Sequence, residues 1–340
     1  MSQTFATIRK ELLPKAAGQK IFGPVSRELA LVETEFERQV SSNIQVIGYL
    51  GDYLRASGGK RVRPALLLLA NYAVGGKASG DNVIRLATVM EMLHTATLVH
   101  DDIIDNADLR RNRPSVNARF GNQTAVLMGD WLYMSAFETT TLERSLDIID
   151  ILTRLTRKMT EGELIQLTRI GRLDISENEY FDILRRKTAY LFSACCEVGA
   201  ILGGAGISER EALRDYGMDL GIAFQLSDDI LDLTADTKDL GKAAGSDVLE
   251  GKLTLPLIYL LERRPELAKN IEEIMFDGEY RAISREDLKS QLVDHGILDS
   301  IKHRASSHAE AARKSLDVLP QSEYRSCLED VLSFVTDRTA

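Results

Sequence analysis

The chain has 340 residues, 51 acidic and 42 basic side chains, a net charge of −9 and 44% hydrophobic content. That length and apolar share can bury a sizeable core and exclude a disordered chain. The acidity is spread along the chain and argues against a nucleic-acid partner, which calls for a basic face.

Met1 to Lys20 mixes charged and apolar residues and lacks the continuous apolar core of a signal peptide. The longest apolar stretch, Pro64 to Val74, is too short to span a bilayer, so no transmembrane segment is expected. Gly58-Gly59-Lys60-Arg61-Val62-Arg63-Pro64 sets three cations in a glycine-started turn. Pro64 suits the first turn of a helix running to about Val74, and the positive helix start favours phosphate. Leu86, Val89, Met90, Leu93, Thr97 and His100 then step by three and four, a helical period. This predicted helix leads into Asp101, Asp102 and Asp105, a D-D-x-x-D pattern followed by Arg110-Arg111.

Thr124 to Thr141 reads as the next helix, and Ile148, Ile151, Leu152, Leu155 and Met159 mark another. No proline falls between Ser115 and Leu255, so long helices fill the middle of the chain. Cys195, Cys196 and Cys327 show neither disulfide nor metal spacing, which points to a reducing, cytoplasmic compartment. Ser208 with Glu211 predicts a capping box for the next helix. That helix carries Phe224-Gln225-Leu226 into a second D-D-x-x-D, Asp228, Asp229 and Asp232, trailed by Gly241-Lys242 and Gly251-Lys252-Leu253-Thr254. Glu266 to Gln291 is more polar and reads as peripheral helices and loops. No convincing hairpin emerges. The expectation is an all-α chain of ten or more helices forming one domain over 1–340.

The repeated acidic pattern sets an electrostatic problem. Positions i and i+4 lie on one helix face about 6 Å apart. Like charges there destabilise a helix by about 0.2–0.5 kcal/mol per pair. Hard divalent cations take oxygen ligands, and Mg²⁺ leaves room for water and substrate phosphates. Each acidic cluster is trailed by cations, the pattern expected for Mg²⁺ plus a diphosphate. A lone D-D-x-x-D is more often a solvated turn; two copies in apolar surroundings reverse that reading. His94 on an apolar face reads by itself as a core histidine, and His100 as either a donor to its aspartate neighbour or a packed ring.

Leu98 to Asp105, Arg110-Arg111 and Phe224 to Asp232, in that order, resemble the trans-isoprenyl diphosphate synthases, or polyprenyl synthetases. Gly59 to Pro64 and Gly241-Lys242 through Asp247, Glu250, Gly251-Lys252 and Thr254-Leu255-Pro256 match the same family. Class I terpene cyclases share only one aspartate-rich motif. The resemblance implies the isoprenoid synthase fold, long antiparallel helices around a deep cavity, usually as a homodimer. It implies condensation of isopentenyl diphosphate with an allylic diphosphate, using three Mg²⁺ per site with Mn²⁺ as the alternative ion. Asp101, Asp105 and Asp228 would ligate metal directly; Asp102, Asp229 and Asp232 would act mainly through bound water. Arg110, Lys187, Lys242 and Lys252 would hold the allylic diphosphate, and Lys60, Arg63, His94 and Arg111 the isopentenyl diphosphate. Thr188 and Gln225 would line the reacting region.

In short-chain relatives a bulky residue one turn below the first motif closes the pocket; here Ala96 and Thr97 are small. The string His94 to His100 resembles long-chain members, and peripheral association with a membrane for product release is left open for this chain. The expected product is about C30–C45, started from farnesyl or geranyl diphosphate, with the cavity depth setting the limit. Leu93, Met128, Trp131, Tyr133 or Met134 would form the floor, and Ala96→Phe should shorten the product. The alternatives are a short-chain synthase, a terpene cyclase, and a non-catalytic subunit of a heteromeric synthase.

Overall fold

The computed structural model describes residues 21–56, 58–59, 61–110, 113–235 and 244–337. A 3₁₀ turn (Gly23–Val25) leads into α1 (Ser26–Val40) and α2 (Gln45–Ala56), followed by α3 (Val62–Ala73) and α4 (Asp81–Ile104). A two-residue antiparallel pair comes next, β1 (Leu109–Arg110) with β2 (Arg113–Pro114). Then come α5 (Val116–Phe120), α6 (Asn122–Thr141), α7 (Leu146–Leu167) and α8 (Glu177–Leu184), which ends in a π-helical turn, Arg185–Ala189. The chain continues through α9 (Tyr190–Leu202), α10 (Ile207–Thr234), α11 (Ser246–Leu249) and α12 (Leu255–Arg263). It ends with α13 (Ala268–Asp277), α14 (Arg285–Asp294), α15 (Ile297–Ser315) and α16 (Glu323–Asp337).

The architecture is all-α, and no helix among the described residues is long and apolar enough to cross a membrane. α4 is the central element. It is buried on all sides from Leu86 to Leu93 and packs on α1, α3 and α6, as expected for a helix apolar around its circumference. α9 and α10 are joined by four residues and pack along their length, which makes them antiparallel neighbours. Their close approach depends on missing side chains. A Cβ on Gly217 would lie 2.6 Å from the Phe192 carbonyl oxygen, and one on Gly221 would lie 2.6 Å from Ala189 Cα. α10 therefore lies against both α9 and the π turn, and it belongs to two apolar clusters. One gathers Leu66, Met90, Leu132 and Phe192 around α3, α4, α6 and α9; the other gathers Ile230, Leu257, Ile274 and Leu288 around the end of α10 and α12 to α14.

Two local expectations change. The capping box at Ser208 and Glu211 does not form, because α10 starts at Ile207; the Gly206 N–H instead donates to Glu209 Oε2 at 2.9 Å. A full box does cap α8, where Ser176 and Glu179 bond each other's backbone N–H groups. A minimal hairpin does exist after α4, held by Ser115 Oγ donating to the Ala107 carbonyl at 2.6 Å and by Tyr53 Oη donating to the Pro114 carbonyl at 2.6 Å. With only two residues per strand, it has no alternating pattern to read from sequence.

Candidate active site

Both acidic motifs sit at the C-terminal ends of long helices, the first closing α4 and the second closing α10. Unsatisfied carbonyls make such an end partly negative, so acidic side chains there add to an existing demand for cations. The two ends meet on one cavity of about 1520 Å³, lined by Asp101 and Asp105 from one helix and Asp228 and Asp229 from the other.

The remaining two aspartates turn elsewhere. Asp102 is buried and accepts from Arg110 Nε at 2.7 Å, while its carbonyl accepts from Asn117 Nδ2 at 3.1 Å. Burial pushes its carboxyl upward, with Arg110 opposing. Asp232 accepts from Ser246 Oγ at 3.3 Å and from the Asp247 N–H at 3.2 Å, and its carbonyl accepts from the Gly245 N–H at 2.6 Å. It ties α10 to the segment that leads to Lys252 and does not line the cavity. Thus each motif gives two carboxylates to the cavity and one to its own support.

The facing cations are already engaged by acids. Lys252 Nζ lies 3.0 Å from Asp105 Oδ1 and 2.6 Å from Glu250 Oε2. Lys187 Nζ lies 2.7 Å from Glu163 Oε1 and also donates to Gln166. Burial and Glu163 push Asp101 up to about 7, with Lys187 pulling the other way. Burial and Asp247 push Asp229 up to about 8, against donors from Tyr180 and Gln225. The Tyr133 phenol, beside Asp101, is raised by burial and by that carboxylate. A site that penalises its own ionised carboxylates gains from any added positive charge. Asp101, Asp105 and Asp228 offer oxygen donors suited to a hard divalent cation. Among the described residues no three His, Cys, Asp or Glu side chains converge closely enough to hold an ion by themselves. A cation here would be shared with water and with anionic ligand oxygens.

The same cavity is lined by Arg63, His94, Thr97, Arg110, Lys187, Thr188, Gln225 and Lys252. Lys60, Arg111 and Lys242 lie outside the described residues. Arg61, between Lys60 and Arg63, points away from the cavity. It has a left-handed backbone (φ +52°) and its guanidinium is clamped between Glu33 and Glu91, joining α1, α3 and α4. His100 has its Nε2 3.1 Å from the Val126 carbonyl and stacks on Tyr133 with centroids 5.9 Å apart.

Below the first motif, Thr97 lines the cavity, whereas Ala96 is fully buried and does not. Leu93 and Met128 are likewise buried outside the lining, and Trp131 is also off it. Tyr133 and Met134 are on it, followed one turn on by Phe137. Along α7 the lining runs from Thr153 to Leu167, about 21 Å at 1.5 Å per residue. Thr153, Thr156 and Thr160 donate their hydroxyls to carbonyls of their own helix, so they add little polarity to this wall. Ile104, Met159, Leu164, Leu184 and Leu191 add apolar lining, beside Arg157, Glu161, Glu163 and Gln166 on the same wall.

Sequence reasoning passed over Tyr180, Glu163, Gln166 and the π turn that carries Lys187 and Thr188. Asp247 and Glu250 had been matched to the family without a role.

An all-α chain whose paired acidic helix ends open onto one long cavity has the makings of an isoprenoid synthase, and the comparisons agree. Residues 44–290 match the polyprenyl synthetase family. Octaprenyl diphosphate synthase of Haemophilus influenzae is 38% identical over 94% of this chain and 96% of its own length. Geranylgeranyl diphosphate synthase of Methanosarcina mazei is 37% identical over 84% of this chain and 88% of its own. The crystal structure of a polyprenyl synthase from Caulobacter crescentus, complexed with calcium and isoprenyl diphosphate, superposes with a TM-score of 0.89 at 35% identity, covering 98% of this chain and 100% of that one. The chain belongs to the polyprenyl synthetase family. It is a trans-prenyltransferase with the isoprenoid synthase fold.

Proposed function

We propose that this chain adds isopentenyl diphosphate head-to-tail to an allylic diphosphate, farnesyl or geranyl, with Mg²⁺ as its ion. The product is a trans-polyprenyl diphosphate of about C30–C45, limited by the depth of the cavity. The observation that carries this reading is the meeting of two aspartate motifs, Arg110, Lys187 and Lys252 on one cavity.

The carboxylate oxygens of Asp101, Asp105 and Asp228 fit Mg²⁺, with Mn²⁺ as the alternative. When bound, the ions, three by family resemblance, neutralise diphosphate charge as Lewis acids. Arg110, Lys187 and Lys252, with Lys242, hold the allylic diphosphate and take up charge as its C–O bond breaks. Arg63 and His94, with Lys60 and Arg111, hold isopentenyl diphosphate beside it, and this proximity lowers the barrier to carbon–carbon bond formation. Ile104, Met159 and Leu184 keep water from the allylic cation. The proton lost from the condensed product goes to the departing diphosphate, since Asp101 is taken up as a metal ligand and Asp229 is held by Tyr180 and Gln225. The exposed apolar side chains Val126, Leu127 and Met134 on α6 support a homodimer.

A shorter product is the second reading, favoured by Tyr133, Met134 and Phe137 lining one wall of the cavity. Chromatography of products from labelled isopentenyl diphosphate with geranyl, farnesyl and geranylgeranyl starters separates the two. Products of six or more isoprene units support the first reading; a stop at three or four units replaces it with the second.

A further inference from the structure

Four side chains form an unbroken hydrogen-bonded line beside the second acidic motif. Tyr180 Oη on α8 donates to Asp229 Oδ2 at 2.5 Å. Gln225, one turn before Asp229 on α10, donates its amide N–H to Asp229 Oδ1 at 2.9 Å. Its amide oxygen accepts from Thr188 Oγ1 at 2.9 Å. Tyr180 and Asp229 are buried, while Gln225 and Thr188 are partly open to the cavity.

The direction of this line is fixed by chemistry. Gln225 donates through its NH₂ to Asp229, so its amide carbonyl is left facing Thr188, whose hydroxyl donates to it. The single hydroxyl hydrogen of Thr188 is then spent on Gln225. Only oxygen lone pairs remain for Thr188 to offer the cavity, which Asp101 and Asp228 also line. The π turn matters here, because Thr188 sits in it while the close contact of Gly221 with Ala189 sets its height against α10.

We infer that Tyr180 is a positioning residue, which locks the Asp229 carboxylate and, through Gln225, holds the Thr188 hydroxyl with its lone pairs aimed at the reacting carbons. Partial negative charge held ready where positive charge develops lowers the barrier without reorganisation. The Tyr180 ring has a separate packing role, meeting Phe181 edge-on with centroids 5.4 Å apart, so removal of its hydroxyl alone leaves that contact in place. The inference rests on the condensation reading above and adds a residue to it.

The test is a double-mutant cycle on the full chain with Mg²⁺, isopentenyl diphosphate and farnesyl diphosphate. Tyr180→Phe is expected to lower kcat about ten-fold or more. KM for both diphosphates should stay within about two-fold, because the groups that hold them are untouched. Thr188→Val is expected to lose a similar factor and Thr188→Ser to retain activity. In the double variant the losses should not multiply, since both remove the same line. Calorimetric binding of a farnesyl thiodiphosphate with Mg²⁺ should be unchanged in Tyr180→Phe. Wild-type kcat in Tyr180→Phe, or losses that multiply, would overturn the inference. So would a Tyr180→Phe chain that loses thermal stability and thiodiphosphate binding together, which is the mark of a structural role. If the wild-type chain makes no prenyl product at all, the condensation reading itself fails.

Discussion

Lys252 and Asp105 are ion-paired at 3.0 Å across 147 positions of sequence. The cation that follows the second acidic motif thus neutralises an acid of the first before any ligand arrives. Burial opposes the charge on Lys252, yet Asp105 and Glu250 raise its basicity overall. Replacing Lys252 with Met removes a charge-assisted contact worth about 1.5–3 kcal/mol. The expected result is a KM for the allylic diphosphate raised roughly 10- to 100-fold, with KM for isopentenyl diphosphate little changed, read from steady-state kinetics.

The raised carboxyls predict an inverted pH dependence of stability. Asp101 and Asp229 titrate near 7 and 8 in the fold, against an ordinary value of 3.8. Below 3.8 both folded and unfolded states are protonated, and no penalty applies. Between there and the folded values the unfolded chain releases protons that the fold retains, so stability falls as pH rises. The metal-free Tm should therefore decline from pH 5 to pH 8, and added Mg²⁺ should raise it more at pH 8 than at pH 5. Differential scanning fluorimetry reads both.

Thr97, not Ala96, is the small residue on the cavity wall. Thr97→Phe should shift the product distribution to shorter chains. Ala96→Phe, at a fully buried position, should shorten it less and cost about 1–3 kcal/mol of stability through overpacking. Chromatography of labelled products beside thermal melts separates the two effects.

Arg61 is a structural cation in a stretch otherwise suited to phosphate. Arg61→Ala leaves the buried Glu91 without its guanidinium partner. The expected loss is about 3–5 kcal/mol in denaturant unfolding, with KM of the surviving folded enzyme close to wild type.

The acidic motifs, their trailing cations and the long helices were legible because each leaves a local signal: i, i+4 spacing, glycine-started turns, a period of three and four. Helix ends such as Gly206 were less so, since Ser208 and Glu211 match the capping pattern as well as the pair that forms. The roles within a motif were not readable from spacing at all. Asp102 and Asp232 have the same sequence surroundings as their neighbours, and only the fold shows them turned to Arg110 and to Ser246. Tyr180 was missed because a tyrosine on an amphipathic helix reads as core. Its partner, Asp229, is 49 residues away. Ala96 and Thr97 read alike in the sequence because both lie about one turn below Asp101; a 100° step separates wall from core.

The central claim is that both helix ends bind one metal–diphosphate unit. Calorimetry of a farnesyl thiodiphosphate with and without Mg²⁺, on wild type, Asp101→Asn and Asp228→Asn, tests it most directly. The account predicts that Mg²⁺ tightens wild-type binding by about ten-fold or more, each charge-assisted contact being worth a factor of that order, and that either substitution removes most of this gain. Equal affinity with and without Mg²⁺, or a gain that survives loss of either aspartate, would contradict it.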